Sequence, residues 1–480
     1  MLVGKVKKML EPDLLNIFTP YGRIGRARYL TTGFILIALK HNIDRLVARA
    51  YGLQWDPLNY WVFSASDFIV ALSPPEAEFY IALLLVALPF IWVGITLTLR
   101  RLRDADLPLW LVIVFFVPFL NVIFFIVLAA IPSRSSADED LGIPAQVGRF
   151  IPESTFGSAV FGILITTLIG LLEIILSANT LRNYGWGLFV GIPFFLGLNS
   201  SLISGFHRPR SVWACLLVSI ISVLLVGLAL FAFALEGIIC LLMALPLAIP
   251  IALFGGLIGY VIQKRRTFSA DSLRVVSVVF LIVPGLILFE HIFGGPPPLY
   301  EAKTSVVIQS DVHTVWRHVV TFSQLPPPTE TMFKTGLAYP IRAEMCGEGV
   351  GAVRHCVFST GAFVEPITVW DEPRLLAFDV TDQPPSMEEF SIYDNVRPPH
   401  LENYFVARRG QFELKPLPDG TTLLEGTTWY QNYYWPAPYW HVWSDYIVDG
   451  IHNRVLLHIK TLAENEPQRA SATTVTKVTD

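Results

Sequence analysis

Charged residues isolated in apolar surroundings are where chemistry is most legible in this chain of 480 residues. Between Ser158 and Ile262 the only charged side chains are Glu173, Arg182, Arg208, Arg210 and Glu236. Glu173 falls near the middle of its apolar run, where ionising a carboxyl in hydrocarbon costs about 2.5–3.5 kcal/mol or more, so it must face other helices. Its chemistry is then either ion or proton movement, or that of a neutral carboxyl bonded to a neighbour. Asn199, Ser200 and Ser201 in the next apolar run are candidate partners, and equally serve as interhelical packing groups.

The remaining groups are less specific. His355, Glu365, His441, Asp445 and His452 are scattered, without the paired spacing of a metal site or of a nucleophile with its base. No catalytic residue, metal site or cofactor is assigned on that basis, and enzymatic activity is disfavoured. Gly347-Glu348-Gly349-Val350-Gly351 has phosphate-loop glycines, but a strand follows it rather than a helix, so it reads as a hairpin turn. Four cysteines are too few for a disulfide framework, and none forms a CxxC pair. Lys40 and Asp44, four residues apart beside His41 and Arg45, predict a self-neutralised helix end. Arg100, Arg101 and Arg103 read as cytoplasmic topology determinants, with Asp104 spaced to pair with Arg100 and lipid headgroups as weaker partners.

The elements that position these groups follow from hydropathy. With 53% hydrophobic and 15% charged residues and a mean hydropathy of +0.52, a wholly soluble protein is excluded. The net charge of -4 gives no global basic surface for nucleic acid, which is not expected as a partner. Residues 1–18 read as a basic amphipathic interfacial helix. Apolar runs then recur at membrane-crossing length: one interrupted by charge, from Tyr29 to the Ala50 region, and seven clearer ones. These span Ala77–Leu99, Leu107–Ile131, Ser158–Leu181, Tyr184–Phe206, Val212–Leu235, Gly237–Ile262 and Leu273–Phe293. Pro118, Pro246 and Pro250 predict kinks or breaks. Residues 294–300 form a Pro/Gly linker, and 301–464 alternate and cycle as a soluble α+β domain of six or seven strands with a long final helix. Val442, Trp443, Tyr446, Ile447, Ile451, Val455, Ile459 and Leu462 form that helix's expected apolar stripe. Residues 465–480 read as a disordered tail.

Two resemblances add to this. Gly22-Arg23-Ile24-Gly25-Arg26-Ala27-Arg28-Tyr29, the Arg100–Asp104 cluster and the Trp110-containing run interrupted by Pro118-Phe119 resemble the bacterial inner-membrane family known as domain of unknown function 805, over residues 19–144. The family's usual acidic residue is Arg28 here, and its usual Trp is Leu30. This resemblance implies a multipass inner-membrane protein and no reaction; residues 145–293 add further transmembrane helices. Ser310-Asp311-Val312-His313-Thr314-Val315-Trp316, the Gly347–Arg354 hairpin and Val369-Trp370-Asp371-Glu372-Pro373-Arg374 are similar to the START/Bet v 1-like superfamily. That likeness implies a helix-grip fold, a curved antiparallel sheet around the long C-terminal helix with an apolar cavity. Strand alternation nominates Phe378, Phe412 and Leu414 for its lining; Trp429 and Tyr430, on opposite faces of the last strand, and Trp443 and Ile447 join them. Residues Gln383 to Arg409, rich in proline, are a candidate lid.

The fold class expected is therefore a multipass α-helical membrane bundle of about eight segments followed by a soluble helix-grip domain. Its expected partners are membrane lipids and a hydrophobic or lipid-like small molecule bound near the bilayer. The alternative is a transporter or channel using Glu173 and regulated by the C-terminal domain; an enzyme acting on a lipid-like substrate comes third. The basic N-terminus belongs in the cytoplasm. The side taken by the C-terminal domain depends on residues 107–131: a single crossing keeps it cytoplasmic, whereas a hairpin broken near Pro118 puts Arg208, Arg210 and Lys264–Arg266 inside and that domain outside. Charge favours the hairpin and length the single crossing.

Overall fold

A computed structural model describes residues 15–53, 55, 60, 74–116, 120–131, 133, 150–264, 268–389, 391 and 398–466. Most of the expected interfacial helix over 1–18, Pro118, and the tail beyond 466 lie outside the described residues. Contacts divide the chain into two compact units. One is Met1–Pro296 with Ser391–Pro399 and Tyr434–Pro438; the other is Pro297–Phe390, His400–Tyr433 and Tyr439–Asp480.

In the first unit the apolar runs form helices α1 (Arg26–Ala50), α2 (Pro74–Asp104), α3 (Leu120–Ala130), α4 (Thr155–Ile174), α5 (Ile192–Ser204), α6 (Val212–Ala232), α7 (Ile238–Gln263) and α8 (Phe268–Phe293). Among the described residues five helical stretches are long and apolar enough to cross a membrane: Glu78–Asp104, Thr155–Thr180, Gly187–Ser204, Val212–Ala232 and Ile238–Gln263. Asn121–Ala130 and Val278–Phe293 are apolar and shorter. The helix α1 forms, but its second half is polar: Lys40 pairs with the buried Asp44, which also accepts from the Tyr60 hydroxyl at 2.5 Å. Of the kinks or breaks expected at Pro246 and Pro250, no break occurs: α7 runs through both prolines. A proline removes one donor, but in an apolar run the neighbouring amides have no partners to gain by leaving the helix.

Residues 107–131 do not form one spanning helix. A 3-10 helix, Leu109–Phe116, precedes α3, and each is only about 16 Å long. The segment leaves the C-terminus of α2 and comes back to it: Arg101 donates to the carbonyls of Leu128 (2.9 Å) and Ile131, and the Ser133 hydroxyl donates to Asp104 at 2.6 Å. It is a hairpin with both ends at one place.

Beyond α4, α5 is buried along its whole length. Small residues admit its neighbours. A Cβ at Gly197 would overlap the Ala252 carbonyl of α7, so only glycine allows the two backbones to meet there.

The second unit is a seven-stranded antiparallel sheet in the order β1-β7-β6-β5-β4-β3-β2. Its strands are β1 (Leu299–Ile308), β2 (Pro340–Cys346), β3 (Val353–Phe358), β4 (Gly361–Asp371), β5 (Leu375–Asp379), β6 (Phe405–Pro416) and β7 (Thr422–Asn432). A short helix, α9 (Val312–Val320), follows β1, capped by the Asp311 carboxylate accepting from the amides of His313 (3.0 Å) and Thr314 (3.1 Å). The Thr314 hydroxyl, donating to the same carboxylate at 2.7 Å, and then these amide bonds hold the Asp311 carboxyl below its ordinary range. The β2–β3 connection is the glycine hairpin, with Gly347, Gly349 and Gly351 all at positive φ. The long helix α10 (Ala437–Asn465) closes the core, and this is a helix-grip fold.

The apolar stripe expected on α10 is wrong at its start. Val442 and Tyr446 are 68% and 59% exposed, while Trp440, Ser444, Val448, His452, Val455 and Ile459 are buried. Hydropathy could not see that this face takes polar partners from the sheet, so the buried stripe includes a serine and a histidine.

Candidate functional site: a buried arginine inside the sheet

Alternation along β3 turns Arg354, Cys356 and Phe358 inward. Arg354 lies directly across the ladder from Glu365 of β4, and Nη1 donates to Glu365 Oε2 at 2.5 Å. The arginine is only 1% exposed, so its guanidinium is fully withdrawn from water. Three rings surround it, with the guanidinium carbon 5.3 Å from the centre of Phe412, 5.4 Å from Phe378 and 5.6 Å from Phe322. Each is within reach of a cation–π contact. Room for the Phe378 ring comes from Gly410 of β6, whose Cβ would lie 2.7 Å from it.

Two nitrogens of Arg354, Nε and Nη2, find no acceptor among the described residues. A buried charged donor without a partner is expensive, which sets this edge apart from the rest of the interior. Burial raises the Glu365 carboxyl and Arg354 lowers it, with burial the larger effect. Burial also pushes the Cys356 thiol up to about 12, which removes it as a nucleophile near neutral pH.

A second polar group lines the seam between α10 and β1/β7. The Tyr430 hydroxyl donates to Asp445 Oδ1 at 2.6 Å and lies 2.8 Å from His441 Nδ1, while His441 Nε2 is 3.1 Å from Asp445 Oδ2. The Tyr300 ring stacks on His441 at 4.5 Å. His452 bridges Thr304 (3.1 Å) and Thr428 (2.8 Å), and Thr304 also donates to Asp449 at 2.7 Å. Residues scattered in sequence are thus brought together, through positions 441, 445, 449 and 452 on one helix face and alternate residues of two strands. Helical spacing was the available signal; the strand register was the missing half. Burial and Asp445 push the Tyr430 hydroxyl up, and burial pushes His452 down to about 4, so neither group is poised for proton transfer near neutrality. This arrangement clasps the helix to the sheet.

Of the residues nominated for the cavity, Phe378, Phe412, Leu414 and Tyr430 are buried, and the first two belong to the arginine's box. Trp443 and Ile447 are half-buried. Trp429 is on the outer face: its ring lies against Arg409 (4.4 Å) and its indole N–H donates to Glu301 at 3.0 Å. The nomination of Trp429 is corrected, because residues 429 and 430 must point to opposite faces of a strand. Arg354 and Glu365 are the functional candidates that sequence reading did not bring together. At the base of the proline-rich segment, Gln383 accepts from Ala407 N at 2.9 Å and donates to Phe405 O at 2.7 Å, which pins the segment to β6; residues 390 and 392–397, where a lid was expected, lie outside the described residues.

In the first unit Glu173 is 4% exposed and neither carboxyl oxygen has a hydrogen-bond partner among the described residues; the Asn199 amide is likewise unpartnered. Ser200 and Ser201 spend their hydroxyls on the carbonyls of Gly197 (3.3 Å) and Gly256 (3.3 Å), so the partners expected for Glu173 are not used for it. Glu290, overlooked in the sequence, is the better-satisfied carboxylate. Its two oxygens accept the amides of Trp186 (3.0 Å) and Gly187 (3.1 Å) at the turn that leads into α5.

The basic motif is also reassigned. Arg23 and Arg26 are exposed, but Arg101 is 0% exposed, and Asp104 pairs with Arg101 rather than with Arg100 as its spacing suggested. Arg100 donates to the Arg23 carbonyl at 3.5 Å and Arg103 to that of Pro20. These arginines tie the chain before α1 and the end of α3 to the end of α2.

The profile of the family described as "Protein of unknown function (DUF805)" matches residues 17–139. A search of curated proteins finds no match. Solved structures similar to the C-terminal part include a Nitrosospira multiformis protein at 17% identity, covering 35% of this chain and 100% of that one with a TM-score of 0.24. The Zhui aromatase/cyclase of a Streptomyces species follows at 14% identity, covering 36% and 99% with a TM-score of 0.24. Truncated norcoclaurine synthase of Thalictrum flavum is 10% identical, covering 34% and 93% with a TM-score of 0.23.

Proposed function

We propose that this chain is a multipass protein of the bacterial inner membrane whose helix-grip domain binds a hydrophobic, lipid-like molecule. The observation that carries this reading is the interior of the sheet, where three phenylalanines surround an arginine with an unused edge of donors. A core selected for stability alone gains nothing from that arrangement, since a buried ion pair is on average no better than well-packed apolar residues. The Gly294–Pro298 linker is short, which keeps the domain at high effective concentration beside the bilayer from which an apolar ligand comes.

The hairpin over residues 107–131 supports an orientation as well. With both hairpin ends on the cytoplasmic side, Arg134, Arg149, Arg208, Arg210, Lys264, Arg265 and Arg266 all fall inside with the basic N-terminus. The helix-grip domain is then extracytoplasmic.

Native mass spectrometry of the full chain released from detergent tests the ligand. The expected spectrum carries one non-protein mass per chain, replaced when methyl laurate is added. A bare chain that takes up no apolar probe would overturn the reading. Glu173 motivates a second one, proton or ion passage through the bundle, because its carboxyl is buried and unbonded. If Glu173→Gln leaves ion flux in proteoliposomes unchanged at equal protein level, that reading is withdrawn.

A further inference from the structure

We infer that the site at Arg354 recognises the carbonyl oxygen of a neutral acyl ester, with the acyl chain held among Phe322, Phe378 and Phe412. This deepens the proposed function and rests on it. The geometry divides the guanidinium in two. Nη1 is committed to Glu365 at 2.5 Å, while Nε and Nη2, the two nitrogens that share the opposite edge, have no acceptor among the described residues. Two N–H groups side by side form a fork, which fits either a carboxylate or a single carbonyl oxygen accepting through both lone pairs.

Charge decides between them. The arginine's positive charge is already balanced by Glu365, which is itself buried, so a ligand carboxylate would leave one net negative charge in a buried, low-dielectric interior. A carbonyl oxygen satisfies both donors and adds no charge. The rings complete the selection: their faces lie within 5.6 Å of the guanidinium carbon, so the group beyond the carbonyl must be apolar.

The test compares two probes that differ by one oxygen, methyl laurate and dodecyl methyl ether, with laurate as a third. Each is titrated into the full chain in detergent and read by native mass spectrometry. The wild-type protein is compared with Arg354→Met combined with Glu365→Gln, which removes both buried charges together. Because micelle partitioning is common to all proteins, the ester-to-ether ratio reports the site. The expected preference for the ester is about ten-fold or more, the size of a hydrogen bond from a charged donor, and it falls to about one in the double variant. Arg354→Lys keeps the charge but loses the fork and is expected to fall between them. Equal ratios in wild-type and double variant would overturn carbonyl recognition while leaving lipid binding in place. Stronger binding of laurate than of its methyl ester would overturn the neutral-ligand claim. Failure of the wild-type chain to bind any probe would remove the proposed function as well.

Discussion

Arg101 and Arg354 are both buried arginines beside a carboxylate, and they differ in how completely they are used. In the first unit all three guanidinium nitrogens of Arg101 are committed, to Asp104 and to the carbonyls of Leu128 and Ile131. In the second, Arg354 spends one nitrogen on Glu365 and leaves two unpartnered. A fully bonded buried charge joins elements of the fold, whereas on the proposed reading the partly bonded one is where a ligand completes the set.

That contrast is open to measurement. The largest expected effect is on Arg101→Ala, which leaves the buried Asp104 without its charge partner and removes the Leu128 and Ile131 bonds that hold the hairpin to α2. About 3–5 kcal/mol of stability should be lost, seen as failure to accumulate or a large drop in the denaturation midpoint in detergent. Acidification ranks next. The folded-state pKa of His452 is pushed down to about 4 from 6.5, so the unfolded chain binds more protons between those values. Stability therefore falls as pH drops from about 6.5 to 4 and levels off below, by about 3 kcal/mol. Hydrogen exchange at β1 and β7 amides measures it, and His452→Gln should remove this part of the slope while the buried His400, also pushed down to about 4, keeps its own. Glu290→Gln keeps one acceptor for the amides of Trp186 and Gly187, and should cost about 1–2 kcal/mol in the same detergent denaturation assay. Smallest of all, replacing both charges by apolar residues, Arg354→Met with Glu365→Met, should change stability by only about 1 kcal/mol. Replacing a buried pair as a unit is close to neutral, so the stability cost separates Arg354 from Arg101 even before ligand binding is measured.

The sheet was readable because period-two alternation holds along β3, β5 and the second half of β6, and Phe378, Phe412 and Leu414 were placed inward on that basis alone; bulges in β2, β4 and β6 interrupt it elsewhere. The arginine site was not. Arg354 and Glu365 are separated by a hairpin, and only the register that makes them cross-strand partners joins them. Trp429 and Tyr430 illustrate the same gap: alternation says they face apart, but only the sheet's curvature around α10 says which faces in. In the first unit, hydropathy located the segments but could not distinguish a spanning helix from the hairpin over 107–131, because both need the same apolar length. The bonds from Arg101 to Leu128 and Ile131 carry that distinction.

The most direct measurement of the central claim is hydrogen–deuterium exchange of the full chain in detergent, with and without methyl laurate. Ligand held by Arg354 and its phenylalanines should slow exchange in β3, β4, β5 and β6 and leave α4 to α8 unchanged. Protection confined to the membrane helices, or no protection anywhere under conditions where the probe is bound, would contradict the account.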